Sequence, residues 1–272
     1  MAPTTSSSER TFQGQFVVRL AQFPWWLLFI ILAGLLLLYS FTTDELYSDI
    51  LERLGRGIGI TLLTTAIAYS VAVLIGLVVG LGRVSKNPVI FNLATLYVQI
   101  IRGVPILVQI FYVAFVLTPA VINLLRGLGV PITTQDVSLF ARAVIALTLT
   151  YGGFEAETFR AGIESIAKGQ MEAARTLGMS YFQAMRHVIL PQAIRNVLPT
   201  LGNDLISMLK DSSLVSVLGV RDITQEARLY VSASFRYPET YNTLAFTYLS
   251  MTIILSLGLK AMENRLGKNR RA

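Results

Sequence analysis

The chain has 272 residues, of which 53% are apolar and only 14% charged, against roughly 25% charged residues in a soluble domain. That composition excludes an ordinary soluble protein. The absence of cysteine rules out a disulfide framework, thiolate metal sites and a cysteine nucleophile, and a single histidine argues against a His-rich metal centre, while the meaning of the net charge of +7 depends on where the basic residues fall.

Residues 1–22 carry Ser, Thr and Pro with little hydrophobicity, and read as a disordered cytoplasmic tail. The apolar run 23–41 places Trp25 and Trp26 at one end and Tyr39 at the other, as aromatic residues sit at the two membrane interfaces. A cleaved signal peptide would start near a charged terminus and close on small residues. This run begins late and closes with Leu38-Tyr39-Ser40-Phe41, so it is read as a span.

Further apolar runs cover about 58–82, 88–117, 139–160, 198–220 and 243–261, each suited to a hydrocarbon core roughly 30 Å thick. The expectation is an all-α membrane protein of six helices. With the amino terminus inside, segments 1–22, 83–87, 160–197 and the tail from Lys260 hold fourteen of the 23 Lys and Arg residues, the outside segments hold six, and Arg102, Arg142 and Lys210 fall within spans. This asymmetry puts both termini in the cytoplasm and accounts for the basic balance without nucleic acid. In the second span Gly76 and Gly80, and at its start Gly55 and Gly59, are spaced for close helix packing.

A charge in mid-membrane is costly, so such a residue faces a partner or a water-filled path. Arg102 lies in the third span just before Gly103 and Pro105, and the proline predicts a bend or break. Interrupted helices belong where backbone lines a cavity, although a kinked structural helix with Arg102 paired to a carboxylate satisfies the same residues. In the fourth span Glu155, Glu157 and Arg160 lie toward the cytoplasmic end, with Glu157 suited to pairing across helices. In the fifth, Asn203, Asp204, Ser207, Lys210 and Asp211 share one helical face. Lys210 lies about twelve residues from the cytoplasmic end, hence roughly 18 Å deep at 1.5 Å per residue. With Asp211, Ser212 and Ser213 it suits a path for a small zwitterion; neutralisation by Asp204, Asp211 or a fourth-span carboxylate is the equal alternative.

The connection 161–197 holds the most informative stretch. Residues 170–177 predict a short helix with Glu172 in its first turn, Arg175 near its end and Gly178 as the stop. Ser180 and Gln183 form a capping box for a second helix, with Phe182, Met185 and Ile189 on one face, His187 in the last turn at the carbonyl end, and Pro191 as terminator. The pair presents Met171, Ala173, Ala174, Leu177, Tyr181, Phe182 and Met185 to the cytoplasm. That apolar face can rest on the bilayer, on its own spans or in a groove of another protein.

Glu172-Ala173-Ala174, three residues, Gly178, nine residues, Val188, one residue and Leu190-Pro191 resembles the coupling-loop signature of bacterial ABC importer permeases. Val188 departs from the usual isoleucine. The resemblance is closest to permeases for polar amino acids and extends over 55–267. It is carried further by Thr61-Leu62, the stretch Arg102-Gly103-Val104-Pro105-Ile106-Leu107-Val108-Gln109, Glu157 with Arg160 through Ile166, Gly169-Gln170, and Lys210-Asp211-Ser212-Ser213-Leu214, in which Ser212 stands where threonine is frequent.

The resemblance implies a five-helix importer core, to which the span at 23–41 is an addition. It implies that the loop over 168–191 docks into a dimeric cytoplasmic ABC ATPase through Glu172, Ala173, Ala174, Leu177, Gly178, Tyr181, Phe182 and Met185. It implies a pathway that includes Arg102, Asp204, Ser207, Lys210, Asp211 and Ser212. The implied partners are a second permease subunit, identical or homologous, an extracytoplasmic solute-binding protein and the lipid of a bacterial inner membrane. ATP and magnesium would sit on the ATPase, with no cofactor on this chain. Independently, the sequence has no Gly-x4-Gly-Lys-Ser/Thr phosphate loop. It also offers no catalytic or metal site, since Glu155 and Glu157 diverge by about 200° on a helix. An ion-coupled secondary transporter or channel is the alternative from another class, because intramembrane charges serve ion coupling equally well.

Overall fold

The computed structural model describes residues 25–268, and every regular element among them is helical. The expected tail over 1–22 and the first two residues of the predicted first span lie outside these. The chain forms two compact units, one ending at Asp49 and the other beginning at Ile50.

In the first unit, α1 (Trp25–Thr43) is apolar over most of its length, and Ile31, Leu35 and Leu36 are exposed. Its end is set by Thr42 and Thr43, whose hydroxyls turn back to the Tyr39 carbonyl at 2.8 and 2.9 Å. Asp44 then starts α2 (Glu45–Arg83) by accepting from the Leu46 N–H at 2.9 Å. α2 thus begins well before the predicted boundary at residue 58.

The second unit continues α2 and adds α3 (Pro88–Gly103), α4 (Ile106–Tyr112), α5 (Thr118–Gly127), α6 (Leu139–Glu164), α7 (Lys168–Thr176), α8 (Tyr181–Ala184), α9 (Leu190–Asp211), α10 (Ile223–Ser234) and α11 (Tyr237–Lys268). Among the described residues three stretches are long and apolar enough to cross a membrane by themselves, namely Glu45–Arg83, Ile106–Gly127 and Tyr237–Asn264. The predicted third span does not end at Leu117. A π turn over Val113–Leu117 carries it into α5, and a second π turn over Met185–Ile189 joins α8 to α9. In each case a proline, Pro119 or Pro191, follows in the first turn, where its missing N–H is tolerated. Pro191 therefore does not end the loop helix as expected. His187 lies inside the π turn, with no carbonyl end to cap.

Helix α6 is the hub, packed against α3, α4 and α9. Gly76 and Gly80 let α2 approach the same helix, since a Cβ on Gly76 would clash with the Glu155 Cβ and one on Gly80 would lie 2.8 Å from the Phe159 Cβ. The expected partnership of Gly55 and Gly59 is not found. Both face open space, and the close approach is made by Gly57, over the backbone of Asp222 and Ile223 at 2.5 Å. Periodicity marks a stripe of small residues, but which of them meets a neighbour depends on how the helix is rotated. Gly76→Ala is expected to cost about 1–3 kcal/mol by overpacking, whereas Gly55→Ala should gain up to about 1 kcal/mol from helix propensity; thermal unfolding in detergent separates the two.

Arg142, expected within a span, is buried at 8% exposure. It donates to the carbonyls of Val137 (3.0 Å), Ala114 (3.1 Å) and Thr134. The turn it ties down also holds Asp136, whose carboxyl is kept below the usual carboxylate range by the N–H and hydroxyl of Thr133.

Candidate functional site

The break predicted at Gly103–Pro105 is present, with Val104 and Pro105 extended between α3 and α4. A broken helix leaves carbonyls without partners. Gln109, 7% exposed, supplies them: its Nε2 donates to Ile101 at 2.7 Å and Val104 at 2.6 Å, and its Oε1 accepts from the Thr150 hydroxyl at 2.8 Å. One side chain therefore fixes the bend and ties it to α6. The signal for it in the sequence is a lone amide in an apolar run a few residues after a helix breaker.

Arg102 emerges from this bend toward Glu157 of α6, at 3.8 Å. Arg83, at the end of α2, reaches the same carboxylate at 3.5 Å, and Arg160 bonds both Glu157 and Glu164. Arg83 has only 13% of its side chain exposed, and its Nε and Nη1 are buried without hydrogen-bond partners among the described residues. Three helices thus converge on one carboxylate. Of the two roles open to Arg102, the geometry shows the ion pair, although half of its side chain remains exposed.

The face of α9 divides. Asp211 accepts from the Tyr151 hydroxyl at 2.8 Å. Asp204 lies two turns before it on the same helix. Glu155 is fully buried, with both oxygens unbonded among the described residues, while the nearby Tyr69 hydroxyl is spent on the Leu201 carbonyl. Ser207 is half-buried on the same helix. Lys210 is exposed and forms no ion pair among the described residues, so neutralisation by Asp204, Asp211 or an α6 carboxylate is not found. Ser212, expected to line the path, is instead fully buried and bonded to the Leu209 carbonyl at 2.8 Å. The reason is that the helix tightens into a 3₁₀ turn at Ser212–Leu218, which swings that hydroxyl inward. The structure therefore pairs Asp211 with Tyr151, leaves Glu155 buried and unbonded among the described residues, and sets Arg102 apart in the arginine cluster. The tyrosines went unmarked in the sequence because an aromatic in a span reads first as packing.

The loop forms a helical hairpin. Gly178 has φ +85°, and the Met179 and Gly178 N–H groups bond the Ala174 and Arg175 carbonyls at 3.1 and 3.0 Å, the Schellman arrangement that ends a helix on a left-handed residue. The capping box is as expected, with the Gln183 N–H bonding Ser180 Oγ at 3.2 Å and the Ser180 N–H bonding Gln183 Oε1 at 2.8 Å. Leu177 is 81% and Phe182 71% exposed, and Glu172, Ala173, Gly178 and Tyr181 are exposed beside them. Two expected docking residues face the other way. Ala174 is buried, and Met185 is half-buried among Ile163, Ile189 and Ala193, because the hairpin must pack one side on its own bundle to stand at all.

Comparison with known proteins agrees with this geometry. The family described as "Binding-protein-dependent transport system inner membrane component" matches residues 72–271. A probable glutamine ABC transporter permease protein of Bacillus subtilis is 37% identical over 209 residues, covering 77% of this chain and 91% of the relative. A glutamine transport system permease protein of Escherichia coli is 34% identical over 211 residues, covering 78% and 91%. Among solved structures, a chain of an amino acid ABC transporter with histidines is 38% identical with a TM-score of 0.67, covering 83% of this chain and 98% of its own. A methionine ABC transporter in an inward-facing conformation, 21% identical with a TM-score of 0.64, shares the fold.

Proposed function

The chain belongs to the family of binding-protein-dependent transport system inner membrane components, and from that premise we propose how it works as the permease subunit of an ATP-driven importer of a polar amino acid. The reading of an ion-coupled carrier is not favoured. The observation that carries the mechanism is the exposed hairpin at Gly178, whose outer side offers Leu177 and Phe182, uncovered among the described residues. An ABC ATPase dimer grips this handle, and its closure on ATP moves α7 and α8 and, through the π turn, α9. Two permease subunits, each with six spans and both termini inside, enclose the path, and a solute-binding protein delivers the amino acid from the other side.

On the α9 face, Lys210 meets the ligand carboxylate, while Asp204 and Asp211 supply counter-charge for its ammonium group. Lys210 has the reach and freedom for this because no described residue pairs with it. Ser207 lies one turn away on the same face. Arg102 serves the inner rim through Glu157.

The test is uptake of radiolabelled amino acids into proteoliposomes holding the permease, its ATPase and its binding protein. Uptake requires ATP and all three components; uptake driven by a proton gradient without the ATPase overturns the reading. Lys210→Ala should lower uptake by about tenfold, the equivalent of about 1.4 kcal/mol, with yield and unfolding temperature unchanged. A fall in unfolding temperature with normal residual affinity would make Lys210 a structural residue instead.

A further inference from the structure

At the end of α2 away from the hairpin lies a concavity of ≈ 790 Å³ that none of the pathway residues named above lines. Arg53 and Arg56 of α2, Arg221 just before α10, and Glu226, Tyr230 and Ser234 of α10 line it. Its shape follows from two contacts. The backbone of Asp222 and Ile223 lies on Gly57, and the Ile223 N–H donates to Thr61 Oγ1 at 3.2 Å, which pins the first turn of α10 to α2. Leu81, which packs against the hairpin's own cluster, lies 21 residues beyond Ile60 on α2. That is about 31 Å at 1.5 Å per residue, the thickness of a hydrocarbon core.

The charge here is sorted by the fold. Segments 42–57, 118–138 and 221–242 together carry eight Asp and Glu against six Lys and Arg. The concavity is nonetheless lined by three arginines and one carboxylate, since Asp222 is buried in the fold as the cap of α10. Arg56 and Arg221 are 63% and 76% exposed, and their partners Glu52 and Glu226 stand at 2.9 and 3.9 Å. The first pair is exposed on both sides and the second is long, and such pairs are weak and exchange for a better partner. Arg53 is steadied over the Tyr230 ring at 5.9 Å. Planar guanidinium groups in such a cup match carboxylates bidentately, and the cup is too wide for a single small anion.

We propose that this concavity receives acidic side chains of the solute-binding protein and is the charged contact through which delivery begins. The proposal rests on the importer reading and adds the patch and its chemistry. Arg221 also stands two residues beyond Gly219, the left-handed residue that ends the Ser212–Leu218 turn. Docking therefore pulls on a short segment that leads directly to Lys210.

The experiment has two arms. In the first, fluorescein-labelled hexaglutamate is titrated onto the purified permease in phosphatidylcholine nanodiscs. Saturable binding suppressed by high salt, and roughly tenfold weaker in R56E/R221E, is expected; equal binding by the variant overturns the proposal. In the second, binding-protein-stimulated ATP hydrolysis is measured in the reconstituted complex. The half-saturating binding-protein concentration should rise roughly tenfold in R56E/R221E and less in R56Q/R221Q, with unstimulated hydrolysis unchanged. Saturation at the wild-type concentration overturns it, and so does a defect seen only in vesicles containing phosphatidylglycerol, which would make a lipid headgroup the occupant. If the wild type is not stimulated at any concentration, the importer reading falls as well, while the peptide arm still reports the charge of the concavity.

Discussion

Gly178→Asp leaves the protein folded in the membrane and lowers ATP-driven uptake at least roughly tenfold, the equivalent of about 1.4 kcal/mol of lost docking. The reasoning separates two demands on this residue. Its φ of +85° is left-handed, a region that costs most L-residues about 1–2 kcal/mol but that Asn and Asp enter more readily than others. Among the described residues nothing lies within 4 Å of where a Cβ would stand. Aspartate therefore keeps the hairpin, and its bulk and charge are met only by whatever grips Leu177 and Phe182. Co-purification of the ATPase should fall with uptake while the unfolding temperature of the isolated permease stays within a few degrees. Gly178→Val, which combines a β-branched side chain with positive φ, should disturb the hairpin itself and lower both. If Gly178→Asp transports normally, the hairpin is not the handle.

The second large effect is expected at Glu157. Glu157→Gln removes the carboxylate on which Arg83, Arg102 and Arg160 converge. Arg160 retains Glu164, and Arg102 is half exposed to solvent. Arg83 is left buried, with no other ion pair among the described residues and two nitrogens already unbonded. Removing one partner of a fully buried pair typically costs about 3–5 kcal/mol and of this partly buried one less, whereas replacing both by apolar groups is often nearly neutral. Glu157→Gln should accordingly lower the unfolding temperature sharply, and adding Arg83→Met should restore much of it. A double-mutant cycle in detergent measures the coupling. Additive losses from the two changes would show that the cluster is a surface feature of little weight.

Several elements were legible because their causes are local. The capping box at Ser180 and Gln183, the glycine stop at Gly178 and the break before Pro105 each depend on the chemistry of a few adjacent residues. The same holds for the family signature, since it lies in one continuous stretch. The loop's two sides were not legible. Ala174 and Leu177 both look apolar and outward in sequence, yet one is buried and the other 81% exposed, and the hairpin's inner side is chosen where Met171 and Met185 pack against Ile163, Ile189 and Ala193. Ser212 was misplaced for a similar reason: a helical wheel assumes 3.6 residues per turn, and the chain changes to a 3₁₀ turn at that residue.

By itself, then, the sequence determined that this chain lives in lipid, is helical, breaks at Gly103–Pro105 and carries the signature of an importer permease family. Only the tertiary structure decided that Gly57 and not Gly55 or Gly59 takes a neighbour, that Gln109 mends the broken helix, that Arg83 joins Arg102 and Arg160 at Glu157, and that arginines gather where α10 meets α2. The physical reason is range. Hydrophobic run length, caps and proline breaks act over a few residues, whereas the rotation of a helix and the partner of a buried charge are set by residues far away in the chain, whose identity is known only once the helices have packed.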